Sequence, residues 1–324
     1  MKRREVLTLL AGAAAPWPNI VCAQQPMKSH RVGYLALASG PDIAIVKQRL
    51  TELGYSEGRN LVFEVRSAEN DATRLASLAE ELVRSKPDVL VAGAGTLTAK
   101  ALQAATNSIP VVFVGVGDPL GAGLVRSLSR PGSNVTGMTP QAAALGGKRL
   151  QLLEELTPGI RIVAVLVNPE TPFSALALKE LQSAARERGL RLEVFEIRAG
   201  EQLPGSIQAA VKAGANGLIT LEDPLLFGLR RQIAGLVAKA TLPTMYGNRQ
   251  FVEAGGLISY GTDGRQIARR AAELVDKVLR GAKPAEIPVE QATTFELVIN
   301  LKAAKALGIS VPPALMLRAD EVIQ

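Results

Sequence analysis

Short apolar runs alternate along this chain with segments in which apolar residues recur every three to four positions. The runs over 32–37 (VGYLAL) and 88–92 (DVLVA) are typical of buried strands. The segments over 72–84 and 265–280 each carry one apolar stripe, which is the pattern of a helix packed by one face. Regular alternation of strands and helices predicts parallel sheets with helices on both faces.

The alternation occurs twice, with a break near 137–141, and no sequence repeat relates the two halves. We therefore predict an α/β fold of two Rossmann-like lobes, which also suits a chain of 324 residues. Among the helices we expect a short one over 121–129 and a longer one over 225–240. The stretch over 288–299 is expected to be extended.

The first 25 residues have the three parts of a secretory signal peptide. A basic start (MKRR) precedes ten uncharged, largely apolar residues over 6–15, and small residues around Ala23 supply a cleavage site. Ten such residues are too few to span a bilayer, so a permanent membrane anchor is less favoured. Arg3 and Arg4 suit a twin-arginine signal as well as an ordinary Sec signal. We expect a protein exported to the periplasm, with residues 1–25 removed.

The composition excludes several kinds of chemistry. Cys22 is the only cysteine and lies before the expected cleavage site, so disulfides, thiolate catalysis and Cys-ligated metal are not expected. With His30 as the only histidine, a Ser-His-Asp triad or a zinc site has too few residues to form. The net charge is +7, but its Lys and Arg are scattered rather than clustered with aromatics, which argues against nucleic-acid binding. We predict no enzyme activity, no metal and no cofactor.

Candidate binding residues follow the predicted strands, because open parallel sheets bind ligands at the carboxyl ends of their strands. Ser39 follows the first strand, and Gly95-Thr96 opens a helix whose free N–H groups suit an anion. A helix-capping role explains Thr96 equally well. The Gly95 segment lacks the third glycine of a dinucleotide fingerprint.

Acidic and aromatic residues follow other strands. Asp118 and Asp223 each precede a proline, which is also the ordinary arrangement of a helix cap. Their recurrence in both halves nevertheless predicts that at least one of them touches ligand. Tyr246 follows a strand in an aromatic-poor chain, where core packing and stacking on a ligand are both open.

Three stretches resemble the ABC-transporter substrate-binding family that includes tryptophan- and tyrosine-type binding proteins. They are IPVVFVGVGDPLGAGLVRSLSRPGSNVTGMT (109–139), LPTMYGNRQFVEAGGLISYG (242–261) and KPAEIPVEQATTFELVINLKAAKALGISVPPALMLRADEVI (283–323). The resemblance implies a type I periplasmic-binding-protein fold, in which three crossover segments join the lobes. Lobe 1 would comprise 29–136 and 261–290, and lobe 2 would comprise 137–260 and 291–324.

The resemblance also implies how a ligand is held. By position, Ser39, Gly95 and Thr96 would hold a carboxylate, whereas Asp118 or Asp223 would hold an ammonium group. The expected partners are a small-molecule ligand, an amino acid or related carboxylate with aromatic ones among the candidates, and an ABC permease in the inner membrane. We expect a monomer that closes on its ligand as a hinge.

Two other functions fit the same residues. An exported sensor or receptor domain would use this fold without transport. An exported enzyme would need a general base, for which Asp118, Glu222 and Asp223 are the candidates, and no nucleophile or metal set accompanies them.

Overall fold

The structure, a computed structural model, describes residues 29–93, 95–140 and 142–324 and contains two separate β-sheets. The predicted signal peptide lies outside the described residues. The strands are, in chain order, β1 His30–Ala36, β2 Leu61–Ser67, β3 Val89–Ala92, β4 Val111–Phe113, β5 Val135–Thr139, β6 Ile162–Val167, β7 Arg191–Glu196, β8 Gly217–Thr220, β9 Thr244–Tyr246, β10 Ile258–Thr262, β11 Glu290–Gln291, β12 Phe295–Asn300 and β13 Glu321–Ile323.

Both sheets are almost entirely parallel. The first has the order β11-β5-β4-β3-β1-β2 and the second has the order β13-β12-β10-β9-β8-β6-β7. One pair, β10 with β12, is antiparallel, with Ile258 opposite Ile299. Most inner strands are buried along their whole length, as expected for parallel strands covered by helices on both faces.

Helices cover both faces of each sheet. They are α1 Pro41–Glu52, α2 Leu75–Arg84, α3 Thr96–Ala105, α4 Gly146–Leu156, α5 Pro172–Glu187, α6 Leu203–Lys212, α7 Pro224–Gly228, α8 Arg230–Lys239, α9 Arg249–Glu253, α10 Gly264–Leu279, α11 Leu301–Ala306 and α12 Pro313–Met316. Short 3-10 turns occupy Ala72–Arg74, Ala142–Leu145, Gly200–Gln202 and Pro284–Glu286. No helix in the described part of the chain has the length and apolar character to cross a bilayer.

Four apolar cores lie on the four sheet faces. On the first sheet, α1 and α10 pack against one face, and α2 and α3 pack against the other. On the second sheet, α4 and α5 cover one face, and α6 to α9 cover the other. Each sheet with its helices forms one lobe, called lobe 1 and lobe 2 below.

The chain passes between the lobes three times, which agrees with the expected α/β fold of two lobes joined by three crossover segments. The first passage follows β5, the second follows β10 and leads into α10, and the third joins β11 to β12. Helix α10 belongs to lobe 1 although it follows lobe 2 in sequence. It buries the predicted stripe, including Ile267, Leu274 and Val278, and Asp263 caps its first turn by accepting from Arg265 N at 2.9 Å.

Two predicted helices differ from the structure. Residues 121–129 form turns rather than a helix, because Gly121 N bonds back to the Asp118 carboxylate and Gly123 has a φ of +69°. The expected helix over 225–240 is broken at Leu229 into α7 and α8. At that break the Arg230 guanidinium donates to the Phe227 carbonyl at 2.9 Å and satisfies the end of α7.

Candidate functional site

A cleft of about 280 Å³ lies between the lobes, at the carboxyl ends of the strands of both sheets. Lobe 1 contributes the loops after β1, β3 and β4 and the start of α10. Lobe 2 contributes the loops after β6, β8 and β9. The volume is near the lower end of the ~300–1,000 Å³ that is common for small-molecule sites, so the cleft suits one small ligand.

Six helices begin at this cleft, because each follows a strand that ends there. Helices α1, α3 and α10 approach from lobe 1, and α5, α7 and α9 approach from lobe 2. The first residue after Gly40 in α1 is Pro41, and α3 begins after Gly95, so neither helix has a side chain capping its first N–H groups. Exposed N–H groups and the positive end of the helix dipole favour a carboxylate.

The predicted carboxylate-binding residues of lobe 1 all line the cleft. Ser39 is exposed, and Thr96 is buried at the first position of α3. Gly95 has a φ of +111°, which favours glycine, and its own N–H is used by the Gly115 carbonyl at 2.8 Å. The donors that face the cleft at this point therefore come from the first turn of α3 rather than from Gly95.

A carboxylate that the sequence analysis did not single out, Asp42, also lines the cleft from lobe 1. The hydroxyl of the buried Tyr34 donates to Asp42 Oδ2 at 2.5 Å. Burial, reinforced by the neighbouring Asp42 charge, raises the pKa of Tyr34 well above its ordinary value, so this tyrosine remains a proton donor. Asp42 also lies in the first turn of α1, where an acidic residue stabilises the helix.

Asp223 lines the cleft from lobe 2 and is only 6% exposed. Its Oδ1 accepts from Leu226 N at 3.0 Å and caps α7, while Oδ2 accepts from Asn168 Nδ2 at 3.1 Å and from the Thr171 hydroxyl. All three donors are neutral, and no lysine or arginine of the described residues forms an ion pair with this carboxylate. Its negative charge is therefore available to a cationic ligand group.

The neighbouring Glu222 differs from Asp223 because its charge is compensated. The guanidinium of Arg149, 2% exposed, donates to both Glu222 oxygens, with Nη1 at 2.9 Å from Oε2. Arg149 Nε also donates to the Tyr260 carbonyl at 2.8 Å, which fixes the guanidinium against β10. Gly247 leaves the room for this pair, since a Cβ there would lie 2.5 Å from Glu222 Oε1.

The apolar part of the cleft was not identified from the sequence. Ile45 and Ile267 line it from lobe 1, and Phe173 and Phe227 line it from lobe 2. Both phenylalanines lie in helices that begin at prolines after strand ends. A phenylalanine just after such a proline could therefore have been predicted to line the cleft, because the first turn of the helix faces it.

Two predicted site residues lie elsewhere. Asp118 does not line the cleft, and its Oδ1 accepts from Gly121 N at 2.8 Å, so it organises its own turn. Tyr246 has no exposed surface and packs in lobe 2, where its ring stacks on Phe251 at a centroid distance of 4.7 Å. Tyr246 therefore packs in the core of lobe 2 and is not exposed to stack on a ligand in the cleft.

The described part of the cleft thus has hydrogen-bond donors at helix starts, two carboxylates without an ion-pair partner (Asp42 and Asp223) and an apolar surface. These are the parts that hold a zwitterion with an apolar body. Within the described residues, no group of three or more His, Cys, Asp or Glu side chains is arranged to hold a metal ion.

Two α/β lobes with three crossovers and a ligand-sized cleft between them define a type I periplasmic binding protein, and solved structures of such proteins share the fold. The match to the family model is more specific. Residues 43–323 match the model described as ABC transporter substrate binding protein, so this chain belongs to that family. The members of the family are substrate-binding proteins, as the sequence resemblance implies.

Individual relatives indicate the ligands that such proteins bind. The chain is 28% identical over 286 residues to a tyrosine-binding protein of Clostridioides difficile, covering 87% of this chain and 82% of the relative. A conserved domain protein from Vibrio cholerae has a similar structure, with a TM-score of 0.86, 30% identity and coverage of 91% and 100%. An ABC domain from Streptococcus pneumoniae in complex with L-Trp has a TM-score of 0.84, 26% identity and the same coverage.

Proposed function

We propose that this chain is the periplasmic substrate-binding component of an ABC importer and that it binds an amino acid or a related carboxylate. The observation that carries the proposal is Asp223, a buried carboxylate in the cleft that has three neutral donors and, among the described residues, no cationic partner. An α-ammonium group would supply the missing charge. The relatives that bind tyrosine and L-Trp support an aromatic side chain.

The ligand carboxylate would be held from lobe 1. Ser39, Thr96 and the first-turn N–H groups of α3 supply neutral donors and a positive helix end there. Ammonium and carboxylate would then be held by different lobes, so that one ligand bridges both and stabilises their closure.

A thermal-shift screen of the mature protein tests the ligand class. The twenty amino acids and a set of small organic acids would be added one at a time, and hits would be confirmed by titration calorimetry. A ligand at about 100 times its Kd adds roughly 2.7 kcal/mol of stability, which is easily detected. Stabilisation by organic acids without an amino group, and by no amino acid, would contradict the role proposed for Asp223.

Export and transport require separate tests. A reporter fused to residues 1–25 should reach the periplasm and lose the leader near Ala23, and an uncleaved, cytoplasmic reporter would contradict export. Deleting the gene should abolish uptake of the ligand found in the screen. Normal uptake with loss of a ligand-dependent response would instead favour the sensor alternative.

A further inference from the structure

Phe227 is the more exposed of the two phenylalanines that line the cleft, Phe173 and Phe227. It lies in α7, lines the cleft and is half-buried, whereas Tyr246 is fully buried behind it. The first and last residues of α7, Pro224 and Gly228, lie close to lobe 1. A Cβ on Gly228 would lie 3.6 Å from Asn70 Oδ1, and one on Gly95 would lie 3.3 Å from Pro224 Cγ. Helix α7 therefore forms the side of lobe 2 that meets lobe 1 across the ligand space.

The ring of Phe227 is supported from behind by two other aromatic rings. Its centroid lies 6.4 Å from that of Phe251 in an edge-to-face arrangement of 74°. Phe251 in turn stacks on Tyr246 at 4.7 Å. Both supporting side chains are buried, so the Phe227 ring rests on the packed core of lobe 2.

A cation covers part of the same ring. The Arg230 guanidinium carbon lies 4.6 Å from the Phe227 ring centroid, within the range of a cation–π contact. Arg230 also donates to the Phe227 carbonyl at 2.9 Å, which holds the arginine in this place. Among the described residues, no acidic side chain forms an ion pair with Arg230.

From this geometry we infer that Phe227 is the specificity-determining wall for an aromatic ligand side chain and that Arg230 is its positioning residue. The inference rests on the proposed amino-acid binding. A cation over one side of a ring draws π-electron density towards itself, so the remaining surface favours an electron-rich ring such as an indole or phenol. The same charge disfavours a ligand with a cationic side chain.

The test compares the affinities of L-tryptophan, L-leucine and L-arginine by titration calorimetry. The substitution Phe227→Leu keeps an apolar side chain but removes the ring, so it should weaken L-tryptophan about tenfold while changing L-leucine little. Arg230→Met keeps the length of the side chain but removes the charge. It should weaken L-tryptophan about threefold and strengthen L-arginine relative to L-leucine.

Matched variants separate this role from a loss of folding. Arg231 is the adjacent, exposed arginine, so Arg231→Met should leave the ligand order unchanged. Arg230→Lys restores the charge and should recover part of the discrimination against L-arginine. The melting temperature of each ligand-free variant is measured alongside the affinities.

Three results would overturn the inference. They are an equal loss for all three ligands in Phe227→Leu, unchanged ratios of the three affinities in Arg230→Met, and a wild-type protein that prefers L-leucine or L-arginine to L-tryptophan. Failure of every amino acid to bind the wild-type protein is a different outcome, because it contradicts the proposed function itself.

Discussion

Gly117 of lobe 1 lies directly against the ring of Phe173 of lobe 2. A Cβ on Gly117 would stand 2.4 Å from Phe173 Cδ2, closer than any side chain tolerates. Both residues line the cleft, so the absence of a side chain at one position allows the two lobes to approach. In the structure the lobes therefore touch at a point where a glycine leaves just enough room for the Phe173 ring.

Replacing Gly117 with alanine should keep the lobes apart. The added methyl group requires Phe173 to leave its place or the lobes to separate, and such overpacking costs about 1–3 kcal/mol. We expect ligand affinity to fall about tenfold or more and small-angle scattering to show a larger radius of gyration with ligand present. Gly235→Ala is the control, because a Cβ there meets nothing within 4 Å. Equal affinities for the two variants would show that closure does not use this contact.

Asp223→Asn should weaken ligand binding much more than Asp118→Asn. At 223 the change removes the negative charge proposed to face the ammonium group, a charge-assisted bond worth about 1.5–3 kcal/mol. At 118 the amide oxygen still accepts from Gly121 N, and the side chain does not line the cleft. Titration calorimetry with the best amino acid of the screen measures both, and equal losses would place the ammonium elsewhere.

The Arg149–Glu222 pair should respond asymmetrically to removal of either partner. Arg149 is 2% exposed and Glu222 is 19% exposed, so Glu222→Met leaves the more deeply buried charge without a partner. Breaking a buried pair in this way costs about 3–5 kcal/mol. We expect a smaller loss for Arg149→Met, because Glu222 retains access to the cleft.

Urea unfolding of both single variants and of the double variant Arg149→Met/Glu222→Met provides the measurement. The double variant should recover much of the loss of Glu222→Met, since neither charge is then left unpaired. A double variant as unstable as the sum of the two single variants would mean that the charges do not compensate each other.

Acid should remove a stabilising contribution from Glu52. Hydrogen bonds from Arg269 and Arg49 lower the pKa of Glu52 from 4.5 to about 2. Because the pKa is lower in the folded state, this stabilisation is complete above pH 4.5 and is lost as the pH falls towards 2. The difference in melting temperature between wild type and Glu52→Gln should therefore shrink over that interval.

The effect should be small, because Glu52 is at the surface, and it should weaken further in high salt. Scanning both proteins at low and high ionic strength supplies this control. A melting-temperature difference that stays constant between pH 4.5 and 2 would contradict the assignment.

Most of the order of strands and helices could be predicted, because most elements carry their own period and many end at a glycine, a proline or an Asx-Pro pair. For the same reason Asp223 and Thr96 were placed at the cleft, since strand ends of a parallel sheet share one edge. Tyr246 was ambiguous for a physical reason. Strand β9 is buried on both faces, so no alternation of polar and apolar residues indicates which way its side chains point.

Contacts between residues far apart in the sequence could not be predicted, because local patterns carry no information about them. Arg149 and Glu222 are 73 positions apart and meet only because α4 packs on the face of the second sheet, in contact with β9. The apolar surface from Ile45, Ile267, Phe173 and Phe227 likewise comes from four helices of two lobes. In the sequence these four residues look like ordinary apolar positions of amphipathic helices. They form one surface only because the two lobes lie next to each other.

The late position of α10 in the chain has a consequence for biosynthesis. This helix completes the core of lobe 1, and its Glu273 accepts from Arg49, 224 positions earlier. A ribosome-bound chain that ends before Gly264 therefore lacks one of the two helices on this face of the first sheet and exposes the apolar side of α1 that packs on α10. Completion of the lobe 1 core must therefore wait for nearly the whole chain, which leaves apolar surface of the nascent protein accessible to chaperones.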